Sequence, residues 1–158
     1  REAVFNILSS KLAGDWAACD MLDVFAGTGA VGLEALSRGV RSVTLLDVNL
    51  QTARRNAALF AKEKDRISLI SADASRLPPA PRQYNLVFLD APYNKGLSVA
   101  ALQSLAGQGW LADGALVLVE LEKNEPLEME SIPFFEQVDE RRYGLARVVF
   151  LHFLPAKK

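Results

Sequence analysis

Two short stretches of the chain carry residue types that do chemistry at spacings that chemistry needs. The first is Asp23-Val24-Phe25-Ala26-Gly27-Thr28-Gly29-Ala30-Val31-Gly32, which contains the spacing G-x-G-x-x-G. Between a strand and a helix, Gly27 allows a tight turn, Gly29 lets a ligand approach the backbone, and Gly32 lets the helix pack closely on the strand. Asp47 follows Gly27 by twenty residues, at the end of the next apolar run. A carboxylate there can accept hydrogen bonds from both hydroxyls of a ribose. No G-K-[ST] follows, so the turn is not a phosphate-cradling P-loop. The second stretch is Leu89-Asp90-Ala91-Pro92-Tyr93. An Asp, a proline-stiffened turn and an aromatic ring together suit methylation of an exocyclic amino group on a planar base. The lone pair of such a nitrogen is delocalised into the ring. A carboxylate and a backbone carbonyl can each accept one of its N–H bonds and free that lone pair. The aromatic ring can stack on a base held out of its helix.

The glycine turn calls for an adenosine-containing cofactor and leaves nicotinamide dinucleotide and S-adenosylmethionine both open. Two features lean toward the latter. Asp23, at the head of the turn, can meet an ammonium or ordered water near a methionine tail. Asp73, after the third strand, can accept from an adenine amino group, although an Asp in that place also serves as an ordinary cap.

These stretches need a scaffold. Met21–Phe25, Val43–Asp47, Ile67–Ile70, Asn85–Asp90 and Ala115–Leu121 are continuous apolar runs that read as buried strands. Ala3, Val4, Ile7 and Leu8 place a helix at the start. Ala30–Arg38, closed by Gly39, reads as a second helix. Leu50, Ala53, Ala57, Phe60 and Ala61 mark one face of a third, and Ser98–Leu105 is a fourth. Leu77–Arg82, with Pro78, Pro79 and Pro81, is a loop, and Asp113-Gly114 is a turn. Strands alternating with helices predict a parallel sheet covered on both faces. Phe134–Asp139 and Arg147–Phe153 are two further strands joined through Gly144, too close for anything but an antiparallel hairpin. The ligand crevice of such a sheet lies at the carboxyl ends of its strands, so Asp23 and Asp90 are expected to face one cleft.

Composition bounds the function. The 158 residues suit a single domain, with 50% hydrophobic and 23% charged residues. No apolar run reaches the roughly 18 residues of a membrane span. A net charge of -1 shows no overall basic character, so any nucleic-acid surface must be local. One cysteine, Cys19, and one histidine, His152, supply neither a disulfide nor a zinc site and leave little room for a Ser-His-Asp system. A reducing, cytoplasmic setting is expected. Cys19, Trp16 and Trp110 are expected in the core.

Arg1-Glu2-Ala3-Val4-Phe5-Asn6, the segment Asp23–Gly39 and Asp90-Ala91-Pro92-Tyr93 together resemble the Rossmann-like S-adenosylmethionine-dependent methyltransferases. More narrowly they resemble the bacterial 16S ribosomal RNA guanine-N2 methyltransferase family, RNA small-subunit methyltransferase D. The resemblance implies a three-layer α/β/α fold, with a seven-stranded, mostly parallel sheet ending in an antiparallel hairpin, as one domain over residues 1–158. It implies methylation of a guanine in small-subunit ribosomal RNA, naked or in the assembled subunit, by a monomer without metal. The cofactor set it implies is Asp23, Phe25, Gly27, Thr28, Gly29, Asp47, Val48, Asp73 and Ala74; the catalytic set is Asp90, Ala91, Pro92 and Tyr93. Arg38, Lys95, Arg141 and Arg142 are candidates for RNA phosphates. Ala91 stands where the family usually has proline, and family members carry a basic segment ahead of the position of Arg1. Two rivals remain at this point: a nicotinamide-dependent oxidoreductase, and a non-catalytic RNA-binding or assembly module on the same fold.

Overall fold

The computed structural model describes residues 2–155. Arg1, at the head of the first resembling segment, lies outside them. Seven strands form one sheet: β1 (Asp20–Val24), β2 (Ser42–Asp47), β3 (Ile67–Ser71), β4 (Tyr84–Leu89), β5 (Leu111–Glu122), β6 (Phe135–Tyr143) and β7 (Ala146–Phe153). Their spatial order is β3-β2-β1-β4-β5-β7-β6. The first five run parallel, and β7 enters antiparallel between β5 and β6. The order reverses at β1, so the carboxyl ends of β1, β2 and β4 open a crevice there.

Among the described residues four α-helices cover the sheet: α1 (Glu2–Lys11), α2 (Ala30–Ser37), α3 (Gln51–Ala57) and α4 (Leu97–Gly107). Alternation along the strands divides the core. Leu33, Leu36 and Ala53 pack with Phe5 and Leu8 against Met21, Val43, Leu45, Leu86 and Phe88 on one face. Ala101, Leu102 and Leu105 of α4 pack with Leu22, Val87, Leu89 and Val117 on the other. Trp16, Cys19 and Trp110 are buried. Trp110 Nε1 donates to the Pro78 carbonyl at 2.8 Å, which ties down the proline-rich loop.

At the amino end of the sheet, away from the crevice, Asp20 gathers three partners. Its carboxylate accepts from Arg41 at 3.0 and 2.6 Å, from Ser42 at 2.8 Å, and pairs with Arg82 at 3.0 Å. The Arg41 guanidinium holds the Asp20 carboxyl below its usual range.

The elements differ from the sequence pattern in four places. In α1 the buried residues are Phe5 and Leu8, and Ala3 is exposed. The third helix ends at Ala57 and continues as a 3₁₀ segment, Ala58–Arg66, broken at Phe60 (φ -105°, ψ 47°), so Ala61 falls off the apolar face. Asp113-Gly114 is not a turn between elements but an irregularity inside β5. Leu111 pairs with Tyr84 and Leu116 with Leu86, so β5 bulges past β4 there, with Gly114 at φ +79°. Finally, β6 extends to Tyr143 through Glu140, Arg141 and Arg142, charged residues that suit a solvent-facing edge strand and carry no apolar signal.

Candidate active site

The glycine turn leaves β1 in a strained path. Phe25, Gly27 and Gly29 all have positive φ, at 61°, 57° and 83°. Glycine adopts that region freely, but a phenylalanine does so only when its surroundings insist. The surroundings are specific. Ala26 N–H donates to the Leu46 carbonyl (3.0 Å), Gly29 N–H to the Ala26 carbonyl (2.8 Å), and Asn56 Nδ2 to the Thr28 carbonyl (2.8 Å). Among the described residues nothing stands within 4 Å of where a Cβ on Gly27 would lie, so that residue's backbone faces open space.

Asp23 is buried and does not line the open cleft. Its Oδ2 accepts the Gly32 N–H at 3.0 Å, in the first turn of α2. The amide groups of that turn have no partner within the helix, so Asp23 satisfies one of them and sets the helix against β1. Asp47 reaches the turn from β2. Its Oδ2 accepts the Gly27 N–H at 2.8 Å and its Oδ1 the Val48 N–H at 2.7 Å. Each oxygen keeps further lone-pair capacity for a ribose hydroxyl. Val48 is an exposed apolar residue, 68% accessible, on the rim beside it. The Ala72 N–H donates to the Asp47 carbonyl at 3.1 Å and brings the end of β3 to the same rim. There Asp73 closes a local turn: its Oδ1 accepts from the Ser75 N–H (2.9 Å) and hydroxyl (2.7 Å), and these bonds lower its pKa. Ala74 is buried behind it.

The turn after β4 closes the crevice. Asp90 N–H donates to the Val24 carbonyl at 3.3 Å, which seats this turn beside the glycine turn. Phe25, Asp47, Asp90, Ala91, Pro92 and Tyr93 line one open cleft of about 420 Å³. That is within the common range for small-molecule sites. Ala91 is buried and Tyr93 is 42% exposed. The chain then turns sharply through Asn94 (φ 59°) and Gly96 (φ 68°) into α4, leaving Lys95 exposed.

A family model described as conserved hypothetical protein 95 matches residues 1–152. The chain belongs to the conserved hypothetical protein 95 family. Among its curated relatives is Ribosomal RNA small subunit methyltransferase D of Escherichia coli (strain K12), 37% identical over 126 residues, covering 77% of this chain and 61% of that one. The protein of the same name from Haemophilus influenzae is 35% identical over 137 residues, covering 80% and 67%. The match thus spans 61% of the length of the E. coli relative. A crystal structure of a protein provisionally assigned as a methylase, also from H. influenzae, superposes with a TM-score of 0.84 at 27% identity, covering 97% of this chain and 98% of that one. The N-methyltransferase NodS from Bradyrhizobium japonicum, in complex with S-adenosyl-L-homocysteine, has a TM-score of 0.71 at 13% identity, a likeness of fold alone, over 98% of this chain and 87% of that one. The fold is that of the class I methyltransferases, with the antiparallel hairpin at β7 and β6.

Within this family fold the four candidate phosphate contacts do not form one patch. Because α2 runs back to the amino edge of the sheet before β2, it carries Arg38 away from the cleft. There Arg38 pairs with Glu34 at 3.0 Å and lies over the Phe5 ring. Arg141 and Arg142 are on the edge strand β6, three strand spacings or about 14 Å from β4. They pair with Asp139 (2.9 Å) and Glu140 (3.1 Å). Only Lys95 of the four adjoins the Asp90–Tyr93 turn in sequence. Sequence reasoning missed Glu120. It lies near the carboxyl end of β5, on the α1 side of the sheet, and its Oε2 accepts a hydrogen bond from the Tyr93 hydroxyl at 3.3 Å. Burial first, and Glu120 second, push the Tyr93 phenol upward. The signal lay in the fold: β5 neighbours β4, so an acidic residue near its end falls beside the turn after β4.

Proposed function

We propose that this chain, as a single methyltransferase domain, transfers a methyl group from S-adenosylmethionine to the exocyclic N2 of a guanine in small-subunit ribosomal RNA. The observation that carries this reading is the shared cleft, in which the Gly27–Asp47 contact and the Asp90–Tyr93 turn sit side by side. The names of the curated relatives point to the same substrate class.

The residues present fit the cofactor. Gly27 offers open backbone, Asp47 offers acceptors to a ribose, and Phe25 and Val48 offer apolar surface to an adenine. Asp23 serves from behind, by fixing the start of α2. Asp73 completes the rim with Ala74 buried behind it, and Thr28 and Gly29 belong to the turn. When bound, the cofactor supplies an electrophilic methyl on a sulfonium. The chain's residues do the rest. Tyr93 stacks on the extruded base and holds it against the cleft. The Asp90 carboxylate and the Ala91 carbonyl each accept an N–H of the amino group, drawing the nitrogen toward tetrahedral geometry and aiming its lone pair. Pro92 restrains Ala91 in extended backbone. A nitrogen that had taken the methyl from the sulfonium would be cationic, and its proton would leave to Asp90 or water. Asp90 need only be an acceptor beside developing positive charge.

The proposed partner is small-subunit ribosomal RNA, naked or assembled, and the proposed setting is the cytoplasm, with the protein a monomer. Among the described residues no helix is long and apolar enough to cross a membrane, and no group of three His, Cys, Asp or Glu is arranged to hold a metal. Thermal unfolding with S-adenosylmethionine or with NAD tests the cofactor. Stabilisation by the former alone is expected; stabilisation by NAD alone would restore the oxidoreductase reading.

A further inference from the structure

Asp90 and Ala91 grip the amino group but leave the choice of base open. Adenine, cytosine and guanine all carry an exocyclic amino group. On adenine and cytosine the ring nitrogen beside it is an acceptor. Only guanine places a second donor there, the N1–H. An enzyme that selects guanine through this edge therefore needs a third acceptor next to the two that grip the amino group.

Beyond the cleft, on the α1 side of the sheet, lies a cavity of about 290 Å³ whose walls include Val4, Val31, Glu120 and Tyr143. Most of its lining is apolar, but two polar groups stand out. The Glu120 carboxylate is held by the Tyr93 hydroxyl through one oxygen, which leaves the other oxygen uncommitted to that contact. The Tyr143 hydroxyl is buried without a hydrogen-bond partner among the described residues. A buried hydroxyl left unpaired costs stability and suits a ligand that supplies an acceptor, as guanine O6 would. Tyr93 belongs to the cleft and its hydroxyl touches Glu120, so the cleft and this cavity meet at that residue.

We propose that Glu120 is the specificity-determining residue of this site: its carboxylate accepts the N1–H of the target guanine while Asp90 and Ala91 hold the N2 amino group. This rests on the methyl-transfer reading and deepens it. Three acceptors then meet the three N–H bonds that guanine carries at N1 and N2. Adenine or cytosine in the same place would press a ring lone pair against a carboxylate, a repulsion that works as rejection. Tyr93 has two tasks here, its ring stacking on the base and its hydroxyl orienting the carboxylate.

The test uses short RNA hairpins with guanine, or 2-aminopurine, at one target position. 2-Aminopurine keeps the N2 amino group but has an acceptor at N1. Binding in the presence of S-adenosylhomocysteine and methyl transfer from S-adenosylmethionine are measured for the parent and for Glu120→Gln, whose amide can donate to that N1. The parent should prefer guanine by roughly tenfold or more in both readouts, and Glu120→Gln should shrink the preference to within about threefold. An unchanged preference in Glu120→Gln, or no preference in the parent, overturns the assignment. A Glu120-dependent binding preference in a parent that transfers no methyl would sustain Glu120 as the base reader while overturning the methyl-transfer reading. Equal melting temperatures of parent and variant guard against misfolding, and Tyr93→Phe, which keeps the ring and frees the carboxylate, should narrow the preference in the same direction.

Discussion

Gly32→Ala should destabilise the fold, although alanine is the better helix former. Inside a helix the exchange gains about 0.5–1 kcal/mol. The structure sets a larger cost against it. A Cβ on Gly32 would stand 2.5 Å from Leu45 Cδ2, 2.9 Å from Val43 Cγ2 and 3.2 Å from Asp23 Oδ2. Leu45 and Val43 are fully buried, at 0% accessibility. Nor can Leu45 swing toward Gly29, since its Cδ1 already lies 2.9 Å from the Cβ position there. One leucine thus fills the space that two glycines leave. Overpacking of this kind costs roughly 1–3 kcal/mol. If α2 moves away instead, the buried Gly32 N–H loses Asp23, at about 1–3 kcal/mol. The net expectation is a loss of about 1–4 kcal/mol, read by thermal unfolding at roughly 2–4 °C per kcal/mol for a chain of this size. Leu45→Ala, costly alone at about 2–5 kcal/mol, makes room for the new methyl. The double variant should therefore be more stable than the sum of the single losses by about 0.5–3 kcal/mol. A raised melting temperature in Gly32→Ala, or strict additivity with Leu45→Ala, would refute the close packing of α2 on β2.

Three further outcomes are expected. Asp47→Ala removes acceptors from the Gly27 and Val48 amides and from the proposed ribose contact; calorimetric titration should show S-adenosylmethionine binding weakened by about 2–4 kcal/mol, and parental affinity would remove Asp47 from the cofactor site. Asp90→Asn should leave that titration within a few-fold of parent while lowering methyl transfer by on the order of a hundredfold or more, and a collapse of cofactor binding would place Asp90 elsewhere in the chemistry. The third outcome concerns pH. The Asp20 carboxyl is held below its ordinary value of 3.8 by Arg41, so its contribution to stability is complete above that pH and fades as pH falls through the lowered value. Asp20→Asn should cost about 1–3 kcal/mol near neutrality, and the gap between variant and parent should close below pH 3.8; a gap constant down to the acid transition would count against it.

The positions of the glycine turn, Asp47 and the Asp90–Tyr93 turn at strand ends are legible, because strand ends are where the apolar runs stop. The parallel sheet and its closing hairpin followed from the same runs and from the short Gly144 connection. What was not legible depended on packing between distant segments. Asp23 read as a cofactor contact, yet it is buried behind the turn, because Gly32 brings its own N–H within reach. Asp73 closes a turn onto Ser75, a local bond that the spacing alone could not weigh against a ligand. Arg38, Arg141 and Arg142 share their charge in the sequence, but strand order and helix direction separate them and neighbouring carboxylates take them up. Glu120 is hidden in the apolar run of β5, and only the adjacency of β5 to β4 gives it meaning.

The central claim is the transfer itself. Incubation of the chain with small-subunit ribosomal RNA and S-adenosylmethionine carrying a labelled methyl group, followed by digestion of the RNA to nucleosides, reads it directly. The account predicts label in N2-methylguanosine, lost in Asp90→Asn. Label on any other nucleoside, or no label on RNA from a protein that binds S-adenosylmethionine, would contradict it.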